Sequence, residues 1–106
     1  MKPITTLHAD DAVNVAGHLH TLLYEDDNLR VLKVTVTPGD EAKMHWHPRN
    51  INYVLRGGEL EFTAQNGERK VILLTAGQVT SATSEMYHAV KNNSDKIVET
   101  IQVELK

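Results

Sequence analysis

An all-β fold follows from three features of this 106-residue sequence. Short segments rich in β-branched and aromatic residues recur along it, turn signals separate them at roughly 8 to 12 residue intervals, and no stretch shows a persuasive helical period. Together they indicate a sandwich or barrel rather than an α/β fold. The length suits one hydrophobic core, so 1–106 is read as a single domain, an extended N-terminal segment over 1–17 followed by a barrel over 18–106.

The elements follow in chain order. His8 to Gly17 could hold a turn of helix capped by Asp10 or Asp11, but Val13, Asn14 and Val15 are poor helix formers, so extended chain is expected there as readily as the helical turn. His18 to Tyr24 reads as a strand ended by the polar turn Glu25-Asp26-Asp27-Asn28, and Leu29 to Val36 follows as its hairpin partner. Pro38-Gly39 supplies a turn, because proline presets φ and glycine tolerates a positive one. A strand carrying His45 and His47 comes next. Asn50 to Arg56 alternates, with Ile51, Tyr53 and Leu55 on one face and Asn50, Asn52, Val54 and Arg56 on the other. Gly57-Gly58 interrupts before Glu59 to Ala64. Gln65-Asn66-Gly67-Glu68 predicts a type I′ hairpin turn into Arg69 to Leu74. Short strands are expected over Gln78 to Ala82 and Met86 to Val90, and a long alternating one over Ile97 to Leu105.

Composition removes several function classes. Eleven Lys and Arg against fourteen Asp and Glu leave a net charge of −3, which gives no electrostatic reason to bind nucleic acid or an anionic membrane. With no cysteine, disulfides, thiolate metal sites and a cysteine nucleophile are all excluded. No apolar signal core or membrane-length run is present, so a cytoplasmic location is expected.

The candidate chemistry lies at His45-Trp46-His47. Two histidines separated by one residue project from the same face of a strand, since side chains alternate with a period of two. His88 follows a second glycine-led turn and would be brought opposite the pair by a barrel. Three neutral imidazoles facing one point suit a divalent transition metal such as Fe, Ni, Zn, Cu or Mn.

Laid out this way, the chain resembles the cupin superfamily, whose first motif runs G-x5-H-x-H-x3,4-E-x6-G and whose second runs G-x5-P-x-G-x2-H-x3-N. Gly39, His45, His47 and Gly58 match the first; Gly77, His88 and Asn92 match the second. The resemblance covers about half the chain and implies a double-stranded β-helix, or jelly-roll, with the histidines at its mouth. Ile51 or Asn52 stands where the family's metal-binding glutamate is usual, and Thr83 and Glu85 replace the second motif's Pro and Gly. What is left resembles the three-histidine variants of the fold that hold ferrous iron, of which thiol dioxygenases are the known example.

Asn50, Asn52 and Arg56 share the inward parity and are candidate substrate contacts, an amide oxygen being a weak substitute for carboxylate on iron or manganese. His18 and His20 form a second H-x-H pair, read as lying on an exposed or subunit-facing strand. Trp46 points away from the histidines and is expected to pack between sheets or subunits. The function expected is that of a small metal-binding protein, a dioxygenase or isomerase acting on a small organic substrate, with a non-catalytic ligand-binding module as the alternative. Long strands with apolar surface in so small a barrel also predict a homodimer.

Overall fold

Alternation along the two longest strands decides the architecture. In Leu29–Val36 and Val98–Leu105, every second residue turns inward: Arg30, Leu32, Val34 and Val36 on one, Val98, Thr100, Gln102 and Glu104 on the other. A computed structural model describes residues 6–106. A short helix, α1 (Ala12–Val15), precedes β1 (His20–Glu25), β2 (Leu29–Val36), β3 (Glu41–His47), β4 (Asn50–Arg56), β5 (Gly58–Thr63), β6 (Arg69–Leu74), β7 (Val79–Ala82), β8 (Met86–Lys91) and β9 (Val98–Leu105). Two antiparallel sheets face each other, one ordered β1-β2-β9-β4-β7 and the other β3-β8-β5-β6. The all-β, double-stranded β-helix expectation is met.

The core divides the barrel lengthwise. Val36, Val54, Leu60, Leu74, Val90 and Val98 close one end with Ala16, Leu19 and Ala42. Each fully buried Val or Leu there contributes about 1.5–3 kcal/mol, so this end holds the sheets together and the other can carry polar groups. Side chains are kept off the close approach of β5 to this core: a Cβ at Gly58 would lie 2.9 Å from Val98 Cγ2.

Three local expectations are corrected. The 1–17 segment is not wholly extended, because Asp11 caps α1 by accepting from the Val13 amide, which offsets the poor helix propensity of Val13 and Val15; residues 1–5 lie outside the described residues. The Asn66-Gly67 turn is not type I′. Gly67 alone has a positive φ, of 86°, and the bonds from Gly67 N to Ala64 O and from Ala64 N to Glu68 O form a type I turn followed by a glycine bulge. The parity of β4 holds only to Val54. A register shift between Val54 and Arg56 breaks it, and Arg56 is exposed.

The edge of β3 is covered by the chain's own N-terminal segment. Trp46 N donates to Asp10 O at 2.6 Å, and Asp11 forms a parallel bridge with Trp46. That leaves β6, β7 and β1 as the free edges among the described residues.

Candidate metal centre

On β3, residues 45 and 47 point into the barrel while Trp46 points out. The pairing of β3 with β8 sets His45 opposite His88. The ring centroids of His45, His47 and His88 are 4.8, 4.8 and 5.0 Å apart, and one ligand atom from each lies within 4.8 Å of the others. Nitrogens at about 2.0–2.1 Å from one ion stand up to roughly 4 Å apart, so a rotamer-scale contraction closes the three around a metal.

The outward nitrogens of the pair on β3 are already committed. His45 Nδ1 lies 2.6 Å from Lys43 O, and His47 Nδ1 lies 2.6 Å from Glu104 Oε2. Both contacts hold the proton on Nδ1 and leave the Nε2 lone pair facing inward, the arrangement a metal-ligating histidine needs. Burial keeps the rings neutral. It depresses His45 below the ordinary imidazole value and, reinforced by the neighbouring rings, takes His47 to about 3 and His88 lower still. Neutral nitrogen is what a transition metal requires at physiological pH.

Behind His47 runs a buried ionic chain. Glu104 Oε1 accepts from Arg30 Nε at 2.5 Å, and the Arg30 fork grips Asp11 with Nη2 to Oδ1 at 2.6 Å and Nη1 to Oδ2 at 3.1 Å. All three side chains are fully buried. Burial raises the carboxyl of Glu104 against the opposing pull of Arg30; at Asp11 the hydrogen bonds and charge of Arg30 overcome burial and lower it. With both carboxylates ionised the chain carries one net negative charge, which partly offsets a divalent ion at the histidines.

The wall opposite the trio comes from β1, β9 and β4. Gln102 sits in register between Leu32 and Asn52, and Thr100 between Val34 and Val54. His20, paired with Val34, completes this side. His20, Val34, Asn52, Thr100, Gln102 and the trio line a cavity of about 460 Å³ whose far end is apolar, with Leu60, Phe62, Ile72, Leu74, Val90 and Val98. Gln102 is 6% exposed and its Oε1 is buried without a hydrogen-bond partner.

A family model described as a cupin domain matches residues 32–104. The chain belongs to the cupin family. A cupin domain from Bordetella pertussis Tohama I has 23% identity and a TM-score of 0.75, covering 82% of this chain and 91% of that one. A cupin superfamily protein from Desulfitobacterium hafniense DCB-2 has 17% identity and a TM-score of 0.61, covering 82% and 75%. An uncharacterised double-stranded β-helix protein from Klebsiella pneumoniae has 25% identity and a TM-score of 0.65, covering 81% and 74%. No curated protein matches the sequence.

The cupin fold brings some of the expected site residues together and separates others. Asn50 and Asn52 both line the cavity. Asn50 is spent, however: its Nδ2 donates to Pro48 O and its Oδ1 accepts from Asn52 Nδ2, each at 2.9 Å. Arg56 lies outside the cavity lining, turned away by the register shift in β4. Ile51 faces outward, so of the two positions where the family's glutamate is usual only Asn52 lines the cavity, and it carries no carboxylate. Trp46 is buried under the chain's own N-terminal segment, stacked on His8 at 4.8 Å and donating to Glu85 at 3.3 Å. Asn92 ties the two motifs together, donating to Val36 O and Lys96 O while Gly39 N donates to Asn92 O.

The second H-x-H pair is split. His18 is exposed and contacts Glu41 O at 3.0 Å, as a surface residue would. His20 is buried, and its ring lies 5.7 Å from His47 and 6.1 Å from His45. The exposed-strand expectation therefore fails for His20, because β1 begins at residue 20 and sends that side chain into the barrel. Sequence reasoning also missed Glu104, Arg30, Asp11 and Gln102. A usable signal existed for three of them: Arg30, Gln102 and Glu104 are polar residues at the inward parity of strands whose remaining inward positions are mostly apolar.

Proposed function

We propose that this cupin binds one divalent transition metal through His45, His47 and His88 and acts there on a small organic molecule, in a reaction of the dioxygenase or isomerase type. The observation that carries the reading is the convergence of three imidazoles, two buried and held in the ligating tautomer and the third half-buried, on a 460 Å³ cavity. A bound divalent ion would supply Lewis acidity or oxygen activation at that end of the cavity. The chain's own residues define what could meet it. The apolar sleeve takes a hydrocarbon body, and Gln102 Oε1, an acceptor left without a partner, takes a hydroxyl or N–H near the metal-facing end. Among the described residues, the only acidic and basic side chains lining the cavity besides histidines are Glu68 and Lys70, both exposed; this favours a neutral ligand and keeps the non-catalytic binding module as the second reading.

The test is elemental analysis and metal titration of the purified protein and of its His88→Ala variant. About one metal per chain is expected in the wild type, with affinity in the variant reduced by more than about 100-fold, beyond the usual effect of an outer-shell change. Equal metal content in both would sink the metal reading.

A further inference from the structure

We infer that His20 is a fourth imidazole ligand of this metal centre, delivered from β1 in place of the carboxylate that β4 lacks. The inference rests on the metal reading above and goes beyond it in fixing the donor set as four nitrogens.

Three observations carry it. His20 Nδ1 lies 2.8 Å from Ala16 O, so its proton is held on the outer nitrogen as it is in His45 and His47. The other two histidines are used differently: His18 turns Nε2 to a carbonyl, and His8 contacts both the Asp10 amide and the Tyr87 hydroxyl. Second, Nε2 of His20 has no hydrogen-bond partner among the described residues although the residue is only 8% exposed and lines the cavity. A buried imidazole with one nitrogen satisfied and the other open to the cavity offers a free lone pair to a metal that enters there. Third, its place is complementary to the trio. It stands on the facing sheet, with ring centroids at 5.7 and 6.1 Å from His47 and His45, about 1 Å beyond the spacing within the trio and so within reach of a χ rotation.

Ala16 anchors the ring from the segment linking α1 to β1, which makes the N-terminal segment part of the site. A four-nitrogen neutral shell also has a chemical consequence. It favours nickel, copper and zinc over manganese, whose preference is for carboxylate and water oxygen.

Chelator-stripped wild type and the His20→Ala, His20→Phe and His88→Ala variants are each loaded with Cu²⁺ for pulsed EPR, which counts coordinated imidazoles, and titrated with Co²⁺ for affinity and d–d absorption. Four imidazoles are expected in the wild type and three in either His20 variant, with Co²⁺ affinity lower by about tenfold or more and an altered d–d band. Three imidazoles in the wild type, or His20 variants matching it in spectrum and affinity while His88→Ala loses metal, would overturn the inference and leave the three-histidine reading standing. Wild type that binds neither ion would overturn both. If the His20 variants do not fold, the wild-type imidazole count decides alone.

Discussion

Asn50 and Asn52 show how a two-residue step along one face of a strand changes what a side chain can do. Both face inward, but Asn50 pairs across the sheet with Glu104 and has both ends of its amide engaged, whereas Asn52 pairs with Gln102 and borders the cavity. An anionic oxygen at the two positions should therefore have opposite effects. Asn52→Asp places a carboxylate where it can reach the metal and is expected to tighten Mn²⁺ or Fe²⁺ binding, since those ions prefer oxygen donors. Asn50→Asp removes the donor to Pro48 and buries a second negative charge beside Glu104, so it should destabilise the fold by several kcal/mol without tightening metal. Metal titration and urea unfolding of the two variants check this, and a tighter site in Asn50→Asp would show that its amide is free to turn. At this scale the sequence exposed His45, His47 and His88, because period-two spacing and motif matching act locally. Glu104 was legible only as a polar residue at an inward position of its strand: its contact with His47 joins facing sheets across 57 positions of sequence, and no local pattern encodes that pairing.

The strands were legible and the connections less so. Alternation and turn residues located eight strands within a residue or two, and the His45-Trp46-His47 spacing marked β3 without fixing its ends, since a half-buried strand must alternate and a chain reversal needs Gly, Pro or Asn. The N-terminal segment defeated the same reasoning, because its conformation depends on tertiary partners. Asp11 accepts from the Val13 amide to cap α1, accepts from the Leu7 amide at 2.9 Å, and receives the Arg30 fork. The four-residue helix has little stability of its own. It persists because Asp11 is fixed by a guanidinium that Glu104 also holds. Asp11→Ala removes the cap and takes a buried anion away from Arg30, so a loss on the order of 3–5 kcal/mol is expected, the range for breaking a buried pair. Urea denaturation measures it. A loss below about 1 kcal/mol, the worth of a cap alone, would mean that the Arg30 charge is compensated by Glu104 without help.

At the scale of the molecule, the buried histidines make the metal-free fold acid-sensitive. His20 is lowered to about 4, chiefly by burial, and His47 to about 3, against about 6.5 in an unfolded chain. Below pH 6.5 the unfolded state takes up protons that the folded state refuses, so stability present at neutral pH drains as pH falls towards 4, by about 1.4 kcal/mol per pH unit for each such histidine. The raised carboxyl of Glu104 acts in the opposite sense and offsets one of them in part. Thermal unfolding of the apo protein should give a lower Tm at pH 5 than at pH 7, and a flat profile would mean the rings are hydrated. Assembly is the other property of the whole. On the outer face of the five-stranded sheet, the register lines Tyr24, Val31, Val103 and Ile51 into one apolar row, with Ile101, Tyr53 and Val79 beside it. Val79 is 62% exposed, and β7 is an open edge. An apolar face beside a strand edge suits a second copy of the chain, since the same patch can serve both subunits. A homodimer through this face is therefore expected, with Trp46 well away from it. Sedimentation should find a dimer at micromolar concentration, and Tyr53→Glu should convert it to a folded monomer with metal binding intact. A monomeric wild type would rule out the face as a self-association surface.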